Sequence, residues 1–216
     1  MTKIAVILSG CGVFDGAEIH ESVLTMLAIH RAGADYQCFA PDMDQHHVLN
    51  HMNGEEMPET RNVMIEASRI SRGDIKPLSA YTAADYDALI MPGGFGAAKN
   101  LSSFAFDGPD CTVNADLVAA LTSTRNAGKP IGALCISPAV LAKVFDGVDL
   151  TIGQDEGVAG AINAMGCTHK QTNHGDVVVD EASKIVTTPC YMLDANISQI
   201  ADGAEACVKQ VIALTK

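Results

Sequence analysis

Short apolar runs of strand length alternate along this chain with longer segments of helical period. That alternation restricts the fold to βαβ units built around a largely parallel sheet. The strands read at Lys3–Leu8, Asp35–Ala40, Ala88–Met91 and Pro130–Leu134, with a late pair at Asp176–Val179 and Lys184–Thr187. The helical patterns between them run over Glu18–Arg31, Glu59–Ile70, Ala115–Asn126, Pro138–Phe145, Gln154–Met165 and Ile197–Leu214. In the first of these, Ile19, Val23 and Leu27 fall on one face, which the periodicity assigns to the core. The polar spacer Asp180-Glu181-Ala182-Ser183 between two β-rich runs has hairpin character, so one antiparallel pair is expected in an otherwise parallel sheet.

A chain of 216 residues, 48% of them hydrophobic, has the length of one ordinary domain and enough apolar material for a large core. The expectation is one domain over residues 1–216, with the stretch Pro41–Asp87 as an elaboration carrying its own helix, opened by Pro58 and closed near Gly73. The first residues read as a strand, not as a signal segment. Fourteen Lys and Arg stand against 26 Asp and Glu, for a net charge of −12, and so acidic a surface repels phosphate backbones. Trp is absent and aromatics are only 5%, which removes the stacking platforms that single strands require, so no nucleic acid is expected as a partner. No uncharged apolar run reaches the ~18 residues of a membrane span, so no membrane partner is expected either. Seven cysteines without any C-x-x-C spacing imply neither a disulfide framework nor a zinc ribbon; they suit free thiols and a cytoplasmic location.

Four segments carry possible chemistry, and all of them fall at the ends of strands. In Gly132-Ala133-Leu134-Cys135-Ile136-Ser137-Pro138 a buried strand runs into a cysteine and a helix starts at once. This is the layout of a nucleophile elbow, with Pro138 in the first helical turn and a helix N-terminus that favours the Cys135 thiolate. In Met91-Pro92-Gly93-Gly94-Phe95-Gly96, adjacent glycines free backbone N–H groups; with the N–H of Ile136, that of Gly94 would make an oxyanion hole. Glu18 and Glu21 share a face in the first helical turn, so one can point inward as a proton carrier while the other caps the helix.

The fourth segment, Gly10-Cys11-Gly12-Val13-Phe14-Asp15-Gly16, resembles a dinucleotide fingerprint but puts Asp15 where the third glycine is needed, and its carboxylate would repel a pyrophosphate. It reads better as a glycine-rich turn that lets the chain pass close to another loop. His46, His47 and His51 with Asp42 and Asp44 match no recognised metal spacing, and neither a metal nor a cofactor is expected.

The elbow at Cys135, the Gly93-Gly94 loop and Glu21 together resemble the class I glutamine amidotransferase-like (ThiJ/PfpI) superfamily. The strings VILSGCGVFDGAEIHES, HMNGEEMPETRNVMIEASRISRG, MPGGFGAAKNLSSFA and IVTTPCYM are most similar to its ElbB branch, the glyoxalases also called isoprenoid biosynthesis proteins with an amidotransferase-like domain. The resemblance implies a flavodoxin-like three-layer sandwich, a homodimer, Cys135 as nucleophile and Glu21 hydrogen-bonded to it. It also implies conversion of glyoxal to glycolate without glutathione or cofactor.

The H-x-E triplet of true glutaminases is missing after Cys135, so glutamine hydrolysis is not expected. Ile136 stands where protease-like relatives carry a histidine. His169 is the preferred candidate for an additional base, with His174 as the alternative. The competing reading is a redox-sensing or regulatory dimer in which an exposed, low-pKa Cys135 registers oxidants and any turnover is incidental.

Overall fold

The computed structural model describes residues 1–216. Nine strands are present: β1 (Lys3–Ile7), β2 (Asp35–Ala40), β3 (Ile75–Pro77), β4 (Ala88–Met91), β5 (Ile131–Leu134), β6 (Asp149–Leu150), β7 (Thr168–His169), β8 (Val178–Asp180) and β9 (Ile185–Thr188). Eight α-helices accompany them: α1 (Ile19–Arg31), α2 (Val63–Ile70), α3 (Phe95–Lys99), α4 (Phe104–Asp107), α5 (Ala115–Asn126), α6 (Ser137–Val144), α7 (Glu156–Ala164) and α8 (Ile197–Ala213).

Seven strands form one sheet in the order β3-β2-β1-β4-β5-β9-β8, and β6 and β7 make a separate short parallel pair. Every pairing in the large sheet is parallel except β8 with β9, where Val178 faces Thr187 and Asp180 faces Ile185. This is the expected α/β architecture, a mostly parallel sheet with a late antiparallel pair. The central strands β1, β4, β5 and β9 are buried almost throughout because helices cover both faces, and so they read as unbroken apolar runs. Helix α8 packs against α1, β5 and β9 on one side; α5 and α6 lie against β5 on the other.

The stretch 41–87 supplies α2 and the edge strand β3, and its loop folds over the Gly10–Gly16 turn. The loop is pinned there by Asp15, which is buried and accepts the Leu49 N–H at 2.7 Å. Pro58 does not open α2. The helix starts at Val63, because the Asn62 side chain caps it by accepting the Ile65 N–H.

Helix α1 corrects the face assigned from periodicity. Ile19, Val23 and Leu27 are 42%, 45% and 39% exposed, while Glu21, Ser22, Thr25, Met26, Ala28 and Ile29 are buried. The helix turns this mixed face inward because it packs against α8 and the sheet, an arrangement that overrides its apolar periodicity.

Candidate active site

Cys135 occupies the residue between β5 and α6 with φ +61°, the left-handed conformation of a strained elbow. Its N–H donates to the Thr188 carbonyl at 2.9 Å, which fixes the turn to the end of β9. The Ser137 hydroxyl donates to the Pro92 carbonyl at 2.7 Å and fixes it to the loop after β4. That loop passes so close that a Cβ at Gly93 would lie 2.6 Å from Glu21 Oε2 and 2.8 Å from Cys135 Sγ, so no other residue fits there.

Glu21 is fully buried behind the cysteine. One carboxyl oxygen accepts the Gly93 N–H at 2.9 Å and the other accepts the Tyr191 N–H at 3.1 Å. Glu18 takes the other role expected of the pair: its side chain caps α1 by accepting the Glu21 N–H at 2.7 Å. Burial pushes Glu21 up to about 7, against the pull of the Tyr191 N–H and of the hydrogen bond from Cys135. Cys135 is 6% exposed, and burial together with the Glu21 charge raises its thiol well above the ordinary value. The N–H groups of Gly94 and Ile136 face the sulfur and act in the opposite direction, more weakly. Cys135 is therefore not the exposed low-pKa thiolate that a helix N-terminus alone would suggest. Burial favours its thiol form.

A cavity of about 320 Å³ opens in front of the sulfur, lined by Cys135, Gly94 and Ile136 together with Val13, Phe95, Asp155, Val158, Tyr191 and Met192. The structure thus brings together Cys135, Glu21, Gly94 and Ile136 and does not bring His169 to them. His169 lies in β7, half-buried, with Nε2 3.4 Å from the Ile152 nitrogen, and it does not line the cavity. His174 is exposed. Tyr191 was not singled out from sequence. Its importance comes from a backbone N–H, which no side-chain pattern announces, although the string IVTTPCYM spans β9, the strand beside Cys135, and the residues directly after it.

The Gly10–Gly16 turn is closed from above. A Cβ at Gly12 would lie 2.5 Å from His51 Nε2, and one at Gly10 would lie 3.1 Å from Gln45 Oε1, which leaves no cradle for a pyrophosphate. The turn instead abuts the Gly93–Gly96 loop, as a close passage of two backbones requires. The His46–His51 cluster is dispersed onto other partners: the His46 N–H donates to Asn100, His47 meets Lys99 Nζ at 3.1 Å, and His51 accepts the Phe14 N–H.

A parallel sheet of this order with a cysteine elbow at the end of β5 defines an amidotransferase-like α/β protein. Comparison with known proteins agrees. The chain is 45% identical, over 99% of its length and 83% of the relative's, to the human mitochondrial glutamine amidotransferase-like class 1 domain-containing protein 3. It is 45% identical to a rat mitochondrial ES1 protein homolog, over 99% of this chain and 84% of that one, and 36% identical to the zebrafish mitochondrial ES1 protein, over 99% and 86%. The chain belongs to this ES1 family of class I glutamine amidotransferase-like proteins.

Among solved structures, an isoprenoid biosynthesis protein with amidotransferase-like domain from Ehrlichia chaffeensis superposes with a TM-score of 0.94 at 35% identity, covering all of both chains. Glyoxalase III from Candida albicans shares the fold, with a TM-score of 0.64 at 18% identity over 99% of this chain and 97% of that one. No family model matches the chain. The curated relatives also overturn the cytoplasmic location, since all three are named as mitochondrial. The physical reason is that free thiols report a reducing environment and not which compartment supplies it. No helix is long and apolar enough to cross a membrane.

Proposed function

We propose that this protein converts glyoxal and related 2-oxoaldehydes to 2-hydroxy acids through a covalent adduct on Cys135, without glutathione or cofactor. The observation that carries this reading is the buried Cys135–Glu21 couple, in which a carboxyl raised to about 7 faces a thiol that needs a base. Glu21 takes the thiol proton as the sulfur attacks the aldehyde carbon, and the N–H groups of Gly94 and Ile136 hold the oxygen that becomes negative. Protonation of that oxygen gives a hemithioacetal. Glu21 then removes the hydrogen from the sulfur-bearing carbon and returns a proton to the neighbouring carbon, while the hydroxyl proton of the adduct passes to the neighbouring oxygen, so that S–CH(OH)–CHO becomes the thioester S–CO–CH2OH. Water cleaves the thioester, releases the 2-hydroxy acid and restores the thiol; glyoxal and one water give glycolate and a proton.

A glyoxalase III built on the same fold shows that this architecture can carry aldehyde chemistry. The lack of an H-x-E triplet after Cys135 disfavours glutamine hydrolysis. A redox-sensing role needs a standing thiolate, and the upward push that burial and the Glu21 charge give the Cys135 thiol works against one.

The test is glycolate formation from glyoxal by the purified protein in the absence of glutathione and added metal. Cys135→Ala is expected to fall to background, and Glu21→Gln to lose ~10²–10⁴ of kcat. Wild-type turnover no better than that of Cys135→Ala would overturn the proposal, and accumulation of sulfinate at Cys135 in place of turnover would favour the redox role.

A further inference from the structure

The cavity in front of Cys135 is far larger than glyoxal and has the wrong lining for it. Glyoxal is two carbonyl groups and nothing else, and it fills on the order of 60 Å³, the space of two waters. The cavity holds about 320 Å³, at the lower edge of the ~300–1,000 Å³ typical of sites for whole small-molecule ligands. Beyond the polar end at Cys135 and Gly94, the residues that line it are Val13, Phe95, Ile136, Val158, Tyr191 and Met192, with Asp155, and its surface is mainly apolar.

Phe95, in the first turn of α3, is 47% exposed at this wall, a large apolar ring left facing solvent. The only charged side chain in the lining is Asp155, and one of its oxygens is held by the Val158 N–H at 2.7 Å as the cap of α7. Lys99 stacks over the Phe95 ring with Nζ 5.0 Å from its centroid, but its ammonium is committed to the Phe14 carbonyl at 2.9 Å and to His47. An anionic arm would therefore meet a fixed carboxylate and no free cation, whereas a neutral apolar arm would cover Phe95, Val158 and Met192.

We propose that the preferred substrate of this site is a neutral 2-oxoaldehyde whose ketone carbon bears an apolar chain or ring of about the size of phenyl, with glyoxal a poor fit. This rests on the aldehyde-processing reading of Cys135 given above. The aldehyde carbon is the end attacked by sulfur, so the arm on the ketone carbon points away from Gly94 and along the apolar wall. The bonds made and broken are the same as for glyoxal, with the arm carried unchanged into the 2-hydroxy acid.

The experiment compares kcat/KM for phenylglyoxal, read as mandelate, with that for glyoxal, read as glycolate, in the wild type, Val158→Phe and Phe95→Asp. Val158→Phe fills the cavity; Phe95→Asp replaces an exposed ring and so places little demand on folding. The expected result is a preference for phenylglyoxal of about tenfold or more in the wild type, with the ratio reduced several-fold in both variants. Equal or better use of glyoxal by the wild type, or a ratio that neither variant moves, overturns the inference and leaves the Cys135 chemistry standing. Turnover of neither aldehyde overturns that chemistry and this inference together.

Discussion

Glu21 and Cys135 are two weak acids pressed together in the protein interior, where burial opposes the ionisation of both; the Glu21 charge raises the Cys135 thiol further, while the hydrogen bond with Cys135 pulls Glu21 down. If Glu21 serves as the base, kcat/KM rises with pH through about 7, where the carboxyl loses its proton, and Glu21→Gln loses that rising limb. The same residue sets a slope in stability. Its folded pKa of about 7 lies above the ordinary 4.5, so between those values the folded chain binds more protons than the unfolded one, and stability declines as pH rises through that window. The decline is at most about 3.4 kcal/mol, at ~1.36 kcal/mol per pH unit between 4.5 and about 7. Urea midpoints at pH 5 and pH 8 are expected to fall between the two for the wild type by more than for Glu21→Gln; equal slopes would show that Glu21 does not carry the shift.

At this scale the sequence made Cys135, Gly94, Ile136 and the division of labour between Glu18 and Glu21 legible, because each follows from local strand–turn–helix chemistry. His169 and Tyr191 were not legible. Whether a distant histidine reaches a site, and which backbone N–H supports a carboxylate, depends on how far-apart segments are stacked.

Among the elements, the loop between β4 and α3 has least freedom. Its Gly93 touches both Cys135 and Glu21, and Gly94 at φ +97° lies against the backbone of residues 16–18. Gly93→Ala is expected to cost about 1–3 kcal/mol by overpacking and to abolish turnover, measured by urea unfolding and by glycolate formation; retention of both would mean that the loop yields easily.

The long strands and α5 were readable from sequence because buried parallel strands are continuous apolar runs. Strands β3, β6 and β7 were not, being two or three residues long and partly exposed. Nor was the inner face of α1 readable. Its apolar residues repeat at helical spacing on the exposed side, while Ser22, Thr25 and Glu21 are buried by tertiary packing that overrides periodicity.

For the molecule as a whole, a net charge of −12 on 216 residues repels itself in the compact state. Raising NaCl from about 20 to about 200 mM shortens the screening length and is expected to raise Tm, a shift that scanning calorimetry measures; an unchanged or lower Tm would show that local ion pairs such as Arg61 with Glu66 dominate instead.

The group around Cys135 is gathered from four places in the chain: the first turn of α1, the loop after β4, the turn after β5 and the segment after β9. Tyr191, whose N–H holds Glu21 in place, arrives only when the last parallel strand has joined the sheet. During refolding from denaturant, activity should therefore return with the slowest kinetic phase, after helix content has recovered. The Cys135–Glu21 couple is in this sense a clock for the closing of the sheet, and a chain stalled before β9 docks would have its cysteine but lack the backbone N–H that holds Glu21.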